Sequence, residues 1–285
     1  MTRVKSAKSI GFCSGVRRAV NIVEKTLSES KGKVYSLGPV IHNPEVIRRL
    51  KRQNLCIVNS IDGLEHSSTL ILPSHGTPSD ILDKAVKKRL KLVDVTCPNV
   101  SVLQKTCGLL HKQGMEVIIV GDRSHPEIRA LLSFAGKAFV IDKAGGIKKN
   151  VFSGKKIGII SQTTQNRDSF FEIAAKLLQK NPLVKEVHVY NTICLDTLRR
   201  QNEAKELAGS VDTLLIIGSR LSANTKRLLG IGRKINRRTY LVEDSDADFG
   251  RLLRGAKVVG LISGASTPDW LVKEVIKKIK NRKGR

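Results

Sequence analysis

The chain has 285 residues, of which 40% are apolar and 27% charged, and its 51 Lys and Arg residues outnumber its 25 Asp and Glu residues. This length allows a large buried core and two or three α/β subdomains. No apolar run reaches the roughly 18 residues that a membrane helix requires, so no membrane span is predicted. The net charge of +26 favours an anionic partner, such as a nucleic acid, an anionic membrane, an acidic protein or a phosphorylated metabolite.

Short apolar runs typical of β-strands alternate with helical patterns along the whole chain. The predicted strands are 33–37, 55–59, 69–73, 92–96, 116–120, 138–142, 156–161, 187–190, 213–217, 239–243 and 257–262. The predicted helices include 15–29, 79–90, 98–112, 166–180, 195–208 and 269–280. Near-continuous Val, Ile and Leu runs are typical of parallel strands that are covered on both faces. The alternation therefore predicts an α/β fold with mainly parallel sheets.

Three cysteines stand where an apolar strand gives way to a helix, at Cys13, Cys97 and Cys194. They divide the chain into blocks of comparable size, which we interpret as three similar α/β units. The predicted units are 14–96, 97–193 and 194–281 plus 1–13, and 282–285 form a basic tail. The first residues lack the apolar stretch of a signal peptide, and we expect a cytoplasmic protein with reduced thiols.

Thiols in a reducing compartment are more often metal ligands, nucleophiles or core residues than disulfide partners. Cys56 lies within a predicted strand and Cys107 within a predicted helix, so both are interpreted as core thiols. The other three could meet as ligands of an iron–sulfur cluster, or of a zinc ion with a histidine as fourth ligand. The sequence has no CxxC pair, which favours the cluster.

Loops that follow the predicted strands carry imidazole, hydroxyl, amide and carboxyl groups. In parallel sheets, ligands bind beyond the carboxyl ends of the strands, close to helix N-termini. Such groups suit an oxygen-rich anion such as a phosphate or a diphosphate. Each residue alone also fits a structural role, because a hydroxyl after a strand commonly caps a helix. The candidates are His42, His75, His125, Glu127, Thr163, Ser222, Asn224 and Ser266.

The motifs around these residues form a recognisable set from Gly11 to about Lys277. In chain order they are GFCSGV, GPVIHN, SHG, VTCP, HPE, SQTT, NTIC followed by RQ, S-x-N and GASTPDW. This set resembles the LytB family, also called IspH, of 4-hydroxy-3-methylbut-2-enyl diphosphate reductases.

The resemblance implies three α/β units around a central [4Fe–4S] cluster, one per chain, with ligands that match Cys13, Cys97 and Cys194. It implies two-electron reductive dehydroxylation of 4-hydroxy-3-methylbut-2-enyl diphosphate to isopentenyl and dimethylallyl diphosphates, the last step of the methylerythritol phosphate pathway. Glu127 matches the family's proton donor. The substrate-binding residues that the resemblance implies are His42, His75, His125, Thr163, Ser222, Ala223, Asn224 and Ser266. An acidic electron donor such as ferredoxin or flavodoxin would suit the positive charge.

The chain departs from the family's pattern at three places. Ala223 stands where the family usually has a serine, and Asp196 replaces an alanine after the third cysteine. Around HPE, Ser124 replaces a glycine before the motif and Ala130–Leu131 replace a GT pair after it. An acid as close to the expected cluster as Asp196 should disfavour its reduction. Ala223 and the altered loop around HPE leave open a divergent family member with altered substrate preference.

A second alternative is a basic nucleic-acid-binding protein with structural zinc. It would explain the charge of +26, but it leaves the polar strand-end loops unexplained. The chain carries no RNA- or DNA-binding motif, and its 4% aromatic content argues against stacking platforms for single strands. Nucleic acid is therefore an unlikely partner.

Overall fold

The computed structural model describes residues 2–281, so the predicted tail at 282–285 lies outside the described residues. Within them the strands form three parallel sheets of four strands each. Sheet A contains β1 (Arg3–Ser6), β10 (Thr213–Ile217), β11 (Thr239–Val242) and β12 (Val258–Ser263). Sheet B contains β2 (Val34–Leu37), β3 (Leu55–Val58), β4 (Thr69–Leu72) and β5 (Lys91–Asp94). Sheet C contains β6 (Glu116–Val120), β7 (Ala138–Ile141), β8 (Lys156–Ser161) and β9 (Glu186–Val189). This confirms the predicted α/β class with parallel sheets.

The helices occupy most of the connections between strands. They are α1 (Ser14–Glu29), α2 (Pro44–Arg52), α3 (Ser79–Lys87), α4 (Pro98–Lys112), α5 (Pro126–Leu132), α6 (Arg167–Lys180), α7 (Leu195–Ser210), α8 (Ala223–Ile235), α9 (Phe249–Leu252) and α10 (Asp269–Lys280). A short 3-10 helix spans Ala144–Gly146. None of the helices within residues 2–281 has both the length and the apolar content needed to cross a membrane.

The strand orders are β1-β12-β10-β11, β3-β2-β4-β5 and β7-β6-β8-β9. Each sheet takes its strands from one of the three predicted blocks, and the block boundaries themselves remain a prediction. All eleven predicted strands are present. The strand β1 was not predicted, because its sequence RVKS has no apolar run. It forms by pairing in parallel with β12.

The described residues group into two compact units. Unit one consists of the described residues within Met1–Arg17, Ile41–Arg49 and Leu195–Arg285, and it contains sheet A. Unit two consists of Arg18–Val40 and Leu50–Cys194, and it contains sheets B and C.

Sheet A is covered on both faces, which explains its continuous apolar strands. Leu215 and Ile217 of β10 pack with residues of α9 and α10, whereas Leu214 and Ile216 pack with residues of α7 and α8. In unit two, one cluster joins sheet C to α4 and α5, and another joins sheet B to α3. These cores hold the strand-end loops that carry the candidate residues.

Candidate active site

In unit one, the loop after β10 leads into the N-terminus of α8. Ser222 is the N-cap of this helix, and its Oγ accepts a hydrogen bond from the Thr225 N–H at 3.3 Å. Asn224 is only 2% exposed, and within the described residues neither its Oδ1 nor its Nδ2 has a hydrogen-bond partner. Leaving a buried polar group unpaired costs about 1–3 kcal/mol. The two unpaired atoms are therefore available to hydrogen-bond a polar ligand beside this helix N-terminus.

His42 and Ser266 lie together in the same unit. The Ser266 hydroxyl donates to the His42 carbonyl oxygen at 3.4 Å, and the Asn43 side-chain amide donates to the Ser266 carbonyl at 2.9 Å. Burial lowers the pKa of His42, and the positive charge of Lys226 on α8 lowers it further. A neutral imidazole beside a lysine suits an anion. The anion can pair with the lysine's positive charge and accept a hydrogen bond from the ring N–H.

Cys13 immediately precedes α1 in unit one. Its N–H donates to the Ala265 carbonyl oxygen at 3.0 Å, and its Sγ accepts from the Val16 N–H at 3.4 Å. The thiol therefore lies against a backbone N–H of the first helical turn, and the partial positive charge of a helix N-terminus suits a thiolate ligand.

In unit two, the Glu127 carboxyl is bound by both polar groups of one threonine. Glu127 is 4% exposed, and its two oxygens accept from the N–H and the hydroxyl of Thr163, each at 2.7 Å. Burial raises the pKa of Glu127, and the two hydrogen bonds from Thr163 oppose that effect. The carboxyl thus holds a proton more readily than an exposed glutamate, as a proton donor requires.

His125 is the N-cap of α5, and its Nδ1 accepts from the Glu127 N–H at 3.2 Å. The loop before it keeps a defined turn despite the serine at 124, because the Asp122 carboxylate accepts from both the N–H and the hydroxyl of Ser124. Gln162, which the sequence analysis did not select, joins this loop to the Thr163 loop. Its side chain accepts from the Asp122 N–H and donates to the Thr164 hydroxyl.

In unit two, the segment that carries Cys97 contacts Cys194. Cys97 is the N-cap of α4, and its N–H donates to the Ser74 carbonyl, the residue before the half-buried His75. The Cys194 Sγ accepts from the side-chain amide of Asn99, two residues after Cys97, at 3.2 Å. The Cys194 N–H donates to the Thr163 carbonyl at 3.0 Å, so one threonine contacts both the Glu127 carboxyl and the Cys194 backbone.

The three cysteines at helix starts carry half-buried thiols and form no disulfide. Within residues 2–281, the side chains of His, Cys, Asp and Glu form no ready-made group of three or more metal ligands. The chemistry of the donors nevertheless fits an iron–sulfur cluster, because Cys13, Cys97 and Cys194 all offer a thiol just before a helix. Cys107 differs, because it is buried in the core beneath sheet C and burial raises its pKa to about 12.

Asp196 has a partner that the sequence analysis missed. Its carboxylate accepts from the Nε of Arg200 at 2.7 Å, and the Arg200 side chain is only 2% exposed. The positive charge of Arg200 offsets the negative charge of Asp196. Asp196 should therefore disfavour reduction of a neighbouring cluster less than expected. The spacing of four residues on one helix was a usable sequence signal for the pair.

A model of the family described as LytB protein matches residues 4–280. The 4-hydroxy-3-methylbut-2-enyl diphosphate reductase of Aquifex aeolicus (strain VF5) is 39% identical over 98% of this chain and 96% of its own. That of Geobacter metallireducens (strain ATCC 53774 / DSM 7210 / GS-15) is 40% identical over 96% of this chain and 95% of its own.

Solved structures agree with the fold. One of (E)-4-hydroxy-3-methyl-but-2-enyl diphosphate reductase, described as the terminal enzyme of the non-mevalonate pathway, superimposes with a TM-score of 0.73 at 38% identity, over 98% of this chain and 99% of that chain. The Plasmodium falciparum E-1-hydroxy-2-methyl-but-2-enyl-4-diphosphate reductase has a TM-score of 0.90 at 24% identity, over 99% of this chain and 89% of that chain, which supports the fold alone.

The fold and the matched relatives define a class of α/β oxidoreductases. The chain belongs to the LytB family. This confirms the family that the motifs predicted.

Proposed function

We propose that this chain reduces 4-hydroxy-3-methylbut-2-enyl diphosphate to isopentenyl and dimethylallyl diphosphates, the last step of the methylerythritol phosphate pathway. The reaction consumes two electrons and two protons, breaks the C–O bond at the allylic hydroxyl and releases that oxygen as water. The observation that carries the proposal is the buried Glu127 carboxyl, bound twice by Thr163 at 2.7 Å in a family of reductases.

We assign the proton donation to Glu127. Hydroxide is a poor leaving group, so a positioned acid lowers the barrier as the C–O bond breaks. The raised pKa of Glu127, caused by its burial, keeps the carboxyl supplied with a proton. Thr163 holds both carboxyl oxygens in place and positions its own hydroxyl to bind the substrate.

We assign the diphosphate to the strand-end groups. The two unpaired side-chain atoms of Asn224 and the helix N-terminus that follows Ser222 support this assignment in unit one. Ala223 offers only its backbone there, so binding depends more on its neighbours. The full set of proposed substrate-binding residues is His42, His75, His125, Thr163, Ser222, Ala223, Asn224 and Ser266.

We assign one [4Fe–4S] cluster per chain to Cys13, Cys97 and Cys194. Such a cluster would supply electrons singly and would give Lewis-acid assistance at the leaving oxygen. Protein residues do the rest: they orient the diphosphate, exclude water and deliver protons from Glu127.

The test is iron and acid-labile sulfide per chain in protein purified without oxygen, together with Cys13→Ser, Cys97→Ser and Cys194→Ser. We expect about four of each in the parent and depletion in all three variants. Cys56→Ser is the matched control, since its half-buried thiol lies in β3 and should leave the iron unchanged. Zinc in place of iron, or iron that none of the three substitutions removes, would overturn the assignment.

A turnover assay distinguishes reduction of the proposed substrate from the alternative of a family member with altered substrate preference. The reconstituted protein should release isopentenyl and dimethylallyl diphosphates from the allylic diphosphate with a small chemical reductant. A fully loaded protein that leaves this substrate unchanged would favour the divergent family member, for which Ala223 is the specific observation.

We further propose that the protein works in the cytoplasm and takes electrons from an acidic protein such as ferredoxin or flavodoxin. The net charge of +26 supports this, because opposite charge accelerates encounter. Reversing exposed basic residues such as Lys234 and Arg237 should slow donor-dependent turnover and spare turnover with a small reductant. Equal slowing with both reductants would contradict this proposal.

A further inference from the structure

The loop that carries Cys13 in unit one is held by side chains from other elements. We call residues 7–13, between β1 and α1, the Cys13 loop. The Ser9 N–H and hydroxyl donate to the Glu203 carboxylate at 2.8 and 2.9 Å, and the Gly11 N–H donates to the Ser263 hydroxyl at 2.8 Å. The polar groups of the loop are thus satisfied by particular side chains of α7 and β12, whereas an ordinary surface loop bonds to water.

Arg200 provides the central contact. Its Nη1 donates to the carbonyl oxygens of Ser9 at 2.9 Å and Ser263 at 3.0 Å, and its Nη2 donates to the Gly11 carbonyl at 3.0 Å. Its Nε donates to Asp196, so the buried charge has a counter-charge. The rigid five-donor fork of a guanidinium can reach all these acceptors at once, and a lysine ammonium cannot.

The end of the loop next to Cys13 is closed as well. Gly11 has φ +80°, and a Cβ there would lie 1.9 Å from Oδ1 of Asp269. The other oxygen of Asp269 accepts from Arg17 at 2.7 Å, and the Cys13 N–H is bound by the Ala265 carbonyl. The backbone is therefore fixed on both sides of the position from which the Cys13 thiol projects.

We propose that Arg200, with Asp196 as its counter-charge, is a positioning residue for Cys13. It fixes the backbone of residues 9–11, so that the Cys13 thiol already has a single position in the iron-free protein. This inference rests on the proposed function, because it takes Cys13 to be an iron ligand. A merely structural arginine would stabilise the fold without changing how Cys13 holds iron.

The first measurement is amide hydrogen exchange on iron-free Arg200→Lys, read by peptide mass spectrometry. A hydrogen bond to a charged group contributes enough that its loss should speed exchange of the Cys13 loop by about tenfold or more. Exchange in β10 should stay at the parent's rate. The matched control is Arg199→Lys, because Arg199 is the preceding residue on α7 and is exposed.

The second measurement uses the iron-loaded protein. Arg200→Lys should lose iron to a chelator about tenfold faster than the parent and should alter the cluster's electron paramagnetic resonance signal, whereas Arg199→Lys should do neither. Asp196→Asn keeps the side-chain size and removes the counter-charge, so we expect a several-fold effect in the same direction. This variant also serves if Arg200→Lys does not fold.

The outcomes are distinct. Amide exchange of the Cys13 loop at the parent's rate in both Arg200→Lys and Asp196→Asn would overturn the proposal that Arg200 fixes the backbone of residues 9–11. Faster exchange with unchanged iron release and an unchanged resonance signal would overturn the positioning role. A parent protein that binds no iron would overturn the proposed function, and the positioning role with it, and this would be visible before any variant is compared.

Discussion

Replacing Glu127 with glutamine removes the proposed proton donor and changes little else at that site. The side-chain volume is kept, and the glutamine Oε1 can still accept one of the two hydrogen bonds that Thr163 donates at 2.7 Å. Because the Thr163 hydroxyl can also act as an acceptor, the new amide N–H group can pair with it. A positioned general acid contributes about 10²–10⁴ to a rate, so kcat should fall by about that factor. KM should change by less than about threefold, since the diphosphate contacts are untouched.

The stability of the same variant has a predictable sign. Because burial raises the pKa of Glu127, the folded chain holds this proton more tightly than the unfolded chain does. The resulting stabilisation is fully present below the ordinary glutamate pKa of about 4.3, and it is lost as the pH rises through the higher folded pKa. Glutamine has no charge to bury, so Tm at pH 7 should equal or exceed that of the parent. The difference should shrink toward pH ~4.

The assay is steady-state turnover with a small chemical reductant, on protein matched for iron content, with Tm followed by circular dichroism. Glu172→Gln is the matched control, because this glutamate lies exposed on α6 in the same unit. It should retain the parent's kcat. A kcat for Glu127→Gln within about threefold of the parent would refute the proton-donor role. A large fall in Tm at pH 7 would refute the argument from burial.

Three further predictions concern the diphosphate contacts and the core thiol. Asn224→Ala should raise KM about tenfold and leave Tm unchanged or higher, because it removes a proposed ligand contact and also an unpaired buried amide. A fall in Tm with unchanged KM would contradict this. Ala223→Ser should lower KM a few-fold by adding a hydroxyl at the start of α8, and an unchanged KM would speak against a diphosphate there. Burial raises the pKa of Cys107 to about 12. In iron-free protein, iodoacetamide at pH 8 should therefore alkylate Cys107 at least about a hundredfold more slowly than the half-buried cysteines. Peptide mass spectrometry measures both rates.

The family and the fold class followed from local sequence patterns. Continuous apolar runs indicated strands covered on both faces, and sheet A shows such coverage with helices on each side of β10. Four helices were not among the segments named as helical, namely α2, α5, α8 and α9. Two of them, α5 and α8, begin directly after the candidate residues His125 and Ser222, which are their N-caps; for Ser222 the capping role was one of the two sequence interpretations.

Local sequence patterns were sufficient to place the candidate chemical groups at strand ends, because strand, helix and cap signals depend on neighbours within a few positions. The environments of these groups depend on tertiary packing. Arg200 binds the carbonyl of Ser9, 191 positions away. Burial raises the pKa of Glu127, and the two hydrogen bonds that this carboxyl accepts come from Thr163, 36 positions away. Such contacts depend on which distant segments pack together, and β1 shows the same rule, since its strand exists only through pairing with β12. A local pattern can therefore name the reacting groups, but their charge states and positions are set by the packing of residues far apart in the chain.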